Sequence, residues 1–466
     1  MKIFQLEFLL NIMSEHSKID YVISGNLIHS TNENPLVVLE NGLIGVTKKG
    51  KIAFVDMKLN LETLKNQYSF KQTDITELDK CQLLMPGFVD GSTNPGQITN
   101  IGLYDNHSEV DWLSQYYFPK ESELNDIKFA NERFSEAVQI SLRCGTTTAI
   151  YRTSTNSSTA FELCEVAKKY GQSAFVGKSS FNVNPFDINH CEVTNVAQNA
   201  KKCVEEIIKY KDKRIYPILC PLEPSYFTPD VMKELSKTAE KFNCPIQINA
   251  SKTSDENELI KNLFENYHSS LDMLNRCGIL QSTTSIVHGL YFADDELLLA
   301  SSKKVSIVHT PQADIERGFG MLPTRKIMER GINVCLGSDV ANGTSFSMFK
   351  AMRSAVKVSQ TRHINNEPFH YSALTRAEAF RMATLNGAKS VGAANLVGNF
   401  LPGKYFDALL VDLSSSKNKI HREQNEHFHV SVARFLACGN EHNIVSVYVS
   451  GKVVVNSPEN SNNEVD

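Results

Sequence analysis

The feature that most constrains this fold is a repeated alternation of short apolar strands and amphipathic helices along the middle of the chain. Eight segments have the uniformly apolar character of strands buried on both faces. Strand–helix alternation favours a parallel sheet, and eight such units predict a (β/α)8 barrel. The predicted strands are residues 82–88, 146–151, 174–177, 215–220, 246–248, 285–287, 306–308 and 334–336.

Two helix starts are marked by local signals. Thr228 is followed by Pro229, which is the arrangement of an N-cap residue with proline at the first helical position. Thr375 and Glu378 form a capping-box pattern, which predicts a helix that runs through residues 383 and 385.

Both ends of the chain carry strand patterns instead. The chain has 466 residues, whereas a barrel of this kind needs about 250, so there is room for a second unit. Short apolar runs separated by turn residues occur in 21–80 and 400–455, with a hairpin expected at Ser450-Gly451. We predict a small β-sandwich made from these two segments, a barrel over 81–399, and flexible ends at 1–20 and 456–466.

Composition excludes several classes of protein. The net charge of −4 argues against a nucleic-acid-binding protein. No apolar run approaches the roughly 20 residues of a membrane span, and the apolar segment 4–13 is interrupted by Glu7 and lacks a cleavage site. Ten cysteines without a close C-x-x-C pair indicate reduced thiols in a cytoplasmic protein. Met13 is an alternative start.

The predicted barrel also fixes where its site should lie. In barrels of this type the functional residues follow the carboxyl ends of the strands. Polar and charged residues are frequent at those positions here. The candidates are Ser92, Asn94, Arg152, Lys178, Leu222, Glu223, Asn249, Lys252, His288, His309 and Asp339.

Six segments carry a family resemblance. They include Met-Pro-Gly-Phe-Val-Asp at 85–90, Gly-Thr-Thr-Thr-Ala at 145–149 and Val-His-Gly-Leu-Tyr at 287–291. The others lie at 174–178, 337–348 and 398–407. In their order and spacing they resemble the guanine deaminase family, over about residues 21–455. The resemblance implies an amidohydrolase barrel, a homodimer, and one Zn²⁺ that activates water to convert guanine to xanthine and ammonia.

Most of the family's metal ligands do not carry over. The resemblance implies an H-x-H pair after the first strand, a histidine after the fifth and an aspartate after the eighth. Ser92 and Asn94 stand at the H-x-H positions, and Asn249 stands at the third histidine. Asp339 alone matches. Because serine and asparagine oxygens are poor zinc ligands, we expect no bound cofactor.

The residues that act on the purine are changed as well. Lys252 stands where the family has its acid–base glutamate, while His288 matches the family's assisting histidine. Gln97 matches a purine-contacting glutamine. Leu222 and Glu223 replace the Arg-Phe pair that holds guanine, and Glu223 would alternatively suit a cationic ligand.

These changes predict a catalytically inactive guanine-deaminase-like protein that acts by binding or regulation. Lys252 would form an ion pair with Asp339 in place of the zinc, or else turn toward solvent. Two alternatives stay open: an active guanine deaminase with an atypical metal site that recruits His309, and a sensor that binds a purine or another small molecule. We expect a homodimer, or a heteromer with an active paralogue, and neither a nucleic-acid nor a membrane partner.

Overall fold

A computed structural model of the protein describes residues 18–104, 107, 109–183, 194–365, 372–423 and 426–456. The described part divides into two compact units, one within Met1–Gly87 and Asn395–Asp466 and the other within Phe88–Ala394. Most of the two segments predicted to be flexible, 1–20 and 456–466, lies outside the described residues.

The described strands are numbered along the chain. They are β1 (Ile19–His29), β2 (Val37–Thr47), β3 (Ile52–Met57), β4 (Ile75–Glu77), β5 (Gln82–Pro86), β6 (Phe88–Thr93), β7 (Thr146–Thr153), β8 (Ser173–Ser180), β9 (Ile215–Pro217), β10 (Cys220–Pro221), β11 (Ile246–Ala250), β12 (Thr284–His288), β13 (Ser306–His309), β14 (Asn333–Leu336), β15 (Ala408–Asp412), β16 (Ile444–Val449) and β17 (Lys452–Asn456).

The first unit is built on a sheet that both ends of the chain supply, as predicted. Its strands follow the order β17-β16-β15-β5-β1-β2-β3, and β4 pairs with β1. The predicted hairpin is present: Ser450 and Gly451 have φ of 49° and 77°, the left-handed pair that a two-residue turn between twisted strands requires.

The second unit is the predicted barrel. Parallel strands β6 to β10 form one sheet and β11 to β14 another. A parallel bridge between Leu219 and Ile246 joins the two sheets on one side. On the other side, the backbone N–H of Asp339 donates to Ser92 O at 2.8 Å and that of Asn94 donates to Val340 O at 2.9 Å. The ring of strands is therefore hydrogen-bonded all the way round.

One predicted barrel strand is divided between the units. Residues 82–88 read as a single strand, but β5 pairs with β1 and β15 in the terminal sheet, and only β6 enters the barrel. The backbone N–H of Gly87 donates to Asp407 O, whereas that of Phe88 donates to Gly145 O. Continuous apolar sequence cannot reveal this change of partner, since both sheets bury the same residue types.

Helices cover the barrel, and the predicted starts are correct. Pro229 begins its helix, and Thr375 accepts a hydrogen bond from Glu378 N within a complete capping box. The second helix ends at Met382, and another begins at Leu385. The α-helices of the described residues are Leu61–Tyr68, Glu109–Trp112, Phe118–Glu123, Ile127–Arg143, Ser157–Tyr170, Val196–Ile208, Pro229–Phe242, Glu256–Leu263, Ser270–Arg276, Asp294–Lys303, Pro311–Glu316, Thr324–Glu329, Met348–Ile364, Arg376–Met382, Leu385–Ser390 and Phe428–Cys438, with a π-helical turn at Leu113–Tyr117.

The barrel interior is packed rather than hollow. Val287, Val308 and Cys335, from three neighbouring strands, are fully buried against one another. A side-chain carbon added at Gly91 would lie 2.7 Å from Leu336 O and 2.9 Å from the Val308 side chain. This core closes the barrel below the strand ends, so functional side chains gather above it.

Candidate functional site

The loop after β6 carries a dense polar network. Asn94 accepts from Gly96 N at 3.2 Å and donates through Nδ2 to the Tyr117 hydroxyl at 3.3 Å. Gln97 donates to Glu121 Oε1 at 2.8 Å and to the Tyr117 carbonyl at 3.3 Å. These bonds fix the 3-10 helix Pro95–Asn100 to the π-helical turn Leu113–Tyr117 and to the helix Phe118–Glu123 at the barrel mouth.

Both the amide nitrogen and the carbonyl oxygen of the Gln97 side chain are hydrogen-bonded within the protein. Its two amide hydrogens go to Glu121 and Tyr117, its carbonyl oxygen accepts from Asn100 Nδ2 at 2.6 Å, and its side chain is completely buried. The glutamine predicted to contact a purine therefore holds the loop together in this structure.

Glu121 is an acidic group that the sequence patterns did not single out. Burial raises the pKa of its carboxyl group to about 7, although hydrogen bonds from Gln97 and Asn94 and the charge of Arg152 act in the opposite direction. Burial also raises the pKa of Tyr117, so its hydroxyl is neutral. Neither residue follows a strand directly, which is why strand-end reasoning missed them.

Arg152, at the end of β7, reaches across the mouth to the end of β11. Its Nη2 donates to Asn249 Oδ1 at 2.8 Å, and both side chains are partly exposed. Asn249 is the position of the third histidine in the resemblance. A guanidinium group thus touches a side chain that was predicted to have lost a metal-binding role.

Lys252 forms its ion pair with Glu223, not with Asp339 as predicted. Lys252 Nζ lies 2.6 Å from Glu223 Oε1, and the two side chains are only 9% and 14% exposed. Nζ also lies 5.3 Å from the centre of the Phe319 ring. The solvent-directed alternative for Lys252 is wrong too. The Glu223 carboxylate lies within ion-pair distance of the Lys252 ammonium group, and among the described residues no such contact joins Lys252 to Asp339.

His288 belongs to a buried cluster with Asp314. Its Nδ1 lies 2.7 Å from Asp314 Oδ1, and the Thr310 hydroxyl donates to the same oxygen at 3.1 Å. Burial lowers the pKa of His288, but the hydrogen bond and charge of Asp314 and the charge of Asp339 outweigh it, so the pKa is raised overall. The imidazole is thus held by an acid that the sequence patterns missed.

His309 completes that cluster. Its Nδ1 lies 3.6 Å from Asp314 Oδ2, and neither ring nitrogen has a hydrogen-bond partner among the described residues. The pKa of Asp314 is lowered, since the hydrogen bond from His288 and the closeness of the His288 and His309 imidazoles outweigh the effect of burial. Pro311, just after β13, starts the short helix Pro311–Glu316, in which Asp314 is buried. A proline at this position is the sequence signal that could have indicated a helix carrying Asp314 into the site.

The remaining candidates are placed at the strand ends as the barrel requires. Asp339 has a left-handed backbone, with φ of 46°, and its carboxylate accepts from Asn342 Nδ2 at 3.1 Å. Ser92 and Leu222 are buried, and the backbone N–H of Leu222 donates to Ser180 O at 3.1 Å. Lys178 is buried within β8.

The zinc implied by the resemblance does not fit these residues. In the described ranges no three histidine, cysteine, aspartate or glutamate side chains are grouped so as to hold a metal ion. The side-chain oxygens of Asn94 and Asn249 already accept hydrogen bonds, the latter from a guanidinium group. A cation beside these two amides would meet the like charge of Arg152 and the neutral oxygens of Asn94 and Asn249, which zinc binds poorly.

The described cysteines and helices bear on the predicted class of protein. The nine cysteines in the described ranges are free, and seven of them are buried. Within the same ranges, no helix is both long and apolar enough to cross a membrane.

Comparison with known proteins gives a consistent family. A sequence model of the amidohydrolase family matches residues 83–454. Human guanine deaminase is 32% identical over 440 residues, which cover 93% of this chain and 96% of the human protein. Guanine deaminase of Dictyostelium discoideum is 30% identical over 453 residues, 95% of this chain and 100% of that protein.

Solved structures agree with the sequence relatives. Guanine deaminase from C. acetobutylicum with bound guanine superposes with a TM-score of 0.83 at 27% identity, covering 93% of this chain and 100% of that one. Guanine deaminase from E. coli gives a TM-score of 0.80 at 25% identity, covering 94% and 99%. The chain therefore belongs to the guanine deaminase family of amidohydrolases.

Proposed function

We propose that this protein is a zinc-free, guanine-deaminase-like pseudoenzyme that binds a small molecule at the barrel mouth without hydrolysing it. The observation that carries the proposal is the contact between Arg152 and Asn249. A catalytic zinc site needs three protein ligands and an open position for water. Here the third ligand position is an amide that accepts a hydrogen bond from a cation.

Loss of the metal removes the main source of the nucleophile. Bound zinc lowers the pKa of water from 15.7 to about 7, which supplies hydroxide at neutral pH. A replacement would need a base and an electrophile that are both free to act on one substrate. His288 is instead bound to Asp314, and Lys252 is bound to Glu223. Two candidates for that chemistry are therefore already engaged.

Several polar side chains at the mouth stay partly exposed and support a binding role. Four of them lie at or just after the ends of different strands and Tyr117 lies in the π-helical turn, so a ligand seated there would touch several elements at once. They are Tyr117, Arg152, Glu223, Asn249 and Asp339.

The same proposal includes how the protein associates and where it acts. We infer a homodimer, or a heteromer with an active paralogue, from the family resemblance, and a cytoplasmic location from the free cysteines. Light scattering of the purified chain and imaging of a fluorescent fusion would test these two points.

Metal analysis and a guanine assay test the proposed function directly. We expect substoichiometric zinc after dialysis against zinc-containing buffer, and no absorbance change from guanine to xanthine above the uncatalysed rate. Near-stoichiometric zinc together with xanthine formation would establish the hydrolytic alternative and end the pseudoenzyme proposal.

Restoring the ligand set tests whether the barrel itself can still hold zinc. The triple variant carries Ser92→His, Asn94→His and Asn249→His. We expect that it does not bind zinc, because the Arg152 guanidinium would remain beside the metal. Adding Arg152→Leu should allow zinc to bind. Zinc binding by the triple variant with Arg152 intact would show that this cation does not exclude the metal.

A further inference from the structure

We propose that the barrel mouth is a binding site for a small planar organic anion, with Arg152 as its anchoring cation. This inference deepens the proposed function and rests on it, because a bound zinc ion would compete for the same place. The neutral purine of the family's reaction is a different class of ligand. Nothing in the comparisons assigns an anion site to this protein.

The charges at the mouth single out Arg152. Lys252 is neutralised by Glu223 at 2.6 Å, and His288 is bound to Asp314 at 2.7 Å. Arg152 donates instead to a neutral amide and forms no ion pair with any described carboxylate. Its Nε is also buried without a hydrogen-bond partner among those residues. A guanidinium group in this state favours a ligand that supplies negative charge.

The groups nearest Arg152 do not neutralise it. Cys220 lies beside the guanidinium, but burial raises the pKa of its thiol to about 12, so it is neutral. Glu121 feels the charge of Arg152, yet it is buried and hydrogen-bonded to Gln97, and its pKa of about 7 leaves it only partly ionised at neutral pH. A ligand with full negative charge would therefore satisfy Arg152 better than its own surroundings do.

The surroundings also favour a flat ligand with oxygen acceptors. Tyr117, close enough for the charge of Arg152 to act on it, lies 5.7 Å from the Trp112 ring centre to centre. Trp112 Nε1 is a buried donor without a partner in the described part of the chain. Asn249 turns its oxygen to Arg152, which leaves its amide hydrogens for a ligand. An aromatic side chain, Tyr117, beside the donors of Arg152 and Asn249 suits a planar anion.

The Glu223 carboxylate offers no competing site for a cation. Its Oε1 is held by Lys252 at 2.6 Å, and the pair is mostly buried. The cationic ligand considered from the sequence would therefore meet an acid that is already neutralised. Of Arg152, Lys252 and His288, only Arg152 has no partner among the described carboxylates.

Calorimetry of the purified full chain with two probes tests this inference. Urate is an anion at neutral pH, and hypoxanthine is a neutral oxopurine of similar shape. We expect urate to bind at least about 10-fold more tightly, and its affinity to fall as salt is added. Arg152→Met should weaken urate binding by about 10- to 100-fold, and Arg152→Lys by less. Arg330→Met, which removes a surface charge paired with Asp294, is the control and should bind urate as the wild type does.

The outcomes are separable. Equal affinity for the two probes, no binding of urate, or unchanged binding by Arg152→Met would overturn the anion site even if the protein is free of zinc and inert toward guanine. Zinc binding with xanthine formation would instead overturn the proposed function. If Arg152→Met does not fold, the comparison of the two probes and the salt dependence of the wild type still decide the question.

Discussion

The buried ion pair between Lys252 and Glu223 gives the sharpest test of how the site is held together. Removing one partner of a buried pair leaves the other charge without compensation, which costs about 3 to 5 kcal/mol in favourable cases. The exposures of 9% and 14% place this pair close to that limit. We expect Lys252→Met to lower the free energy of unfolding by about 3 kcal/mol, because the Glu223 carboxylate cannot reach water easily.

The complete cycle separates pairing from packing. Glu223→Leu should cost less, about 2 kcal/mol, since the long Lys252 side chain can move its ammonium group toward solvent. The double variant should lose only about 2 kcal/mol in total, which implies a coupling energy of about 3 kcal/mol. Urea unfolding followed by tryptophan fluorescence and circular dichroism would measure all four proteins.

A surface pair provides the matched control. Lys237 Nζ lies 2.6 Å from Glu234 Oε1, the same distance as in the buried pair, but these side chains are 69% and 57% exposed. Lys237→Met should leave the unfolding midpoint unchanged, because water already solvates both charges. Additive effects in the Lys252–Glu223 cycle, or a loss below about 1 kcal/mol for Lys252→Met, would refute the assigned pairing.

Three further changes probe separate parts of the molecule. Gly50→Ala should destabilise the terminal sheet by more than about 1 kcal/mol beyond Gly403→Ala, as measured by thermal unfolding. The carbon added at Gly50 would lie 1.8 Å from a backbone oxygen, whereas a carbon added at Gly403 would meet no atom within 4 Å. Because the pKa of Glu121 is raised to about 7, the folded state keeps this proton longer than the unfolded state and loses stability as pH rises from about 4.5 through about 7. Glu121→Gln should remove that loss, and melting curves across this range that match the wild type would disprove it. Thr375→Ala should cost about 1 kcal/mol by opening the capping box with Glu378, and an unchanged midpoint in urea would show that the cap is dispensable.

The fold could be predicted well because its signals are local. Uniform apolar strands, alternating helices and turn residues at Ser450-Gly451 each act within a few positions, and the structure confirms the barrel, the terminal sheet and the hairpin. The split of 82–88 between two sheets could not be predicted in this way. It depends on which strands lie beside each half, and both neighbours come from distant parts of the chain.

The site was only partly accessible to the same reasoning. Strand ends located Arg152, Asn249, Lys252 and His288 on one rim, but they did not show which side chains would pair. The pairing of His288 with Asp314 depends on a short helix that follows another strand. Such contacts depend on side-chain rotamers and on the spacing of strands, which no local pattern encodes.

The sequence by itself determined that this chain forms an amidohydrolase barrel and that three of the four expected zinc-ligand positions carry serine or asparagine. Residue identity alone decides that point, because neutral oxygens bind zinc poorly whatever their geometry. Only the tertiary structure decided where the charges go. Lys252 pairs with Glu223, 29 residues away, and Arg152 meets Asn249 across 97 residues. Closing the barrel brings those strand ends together, and burial raises the free-energy cost of leaving a charged group without a partner.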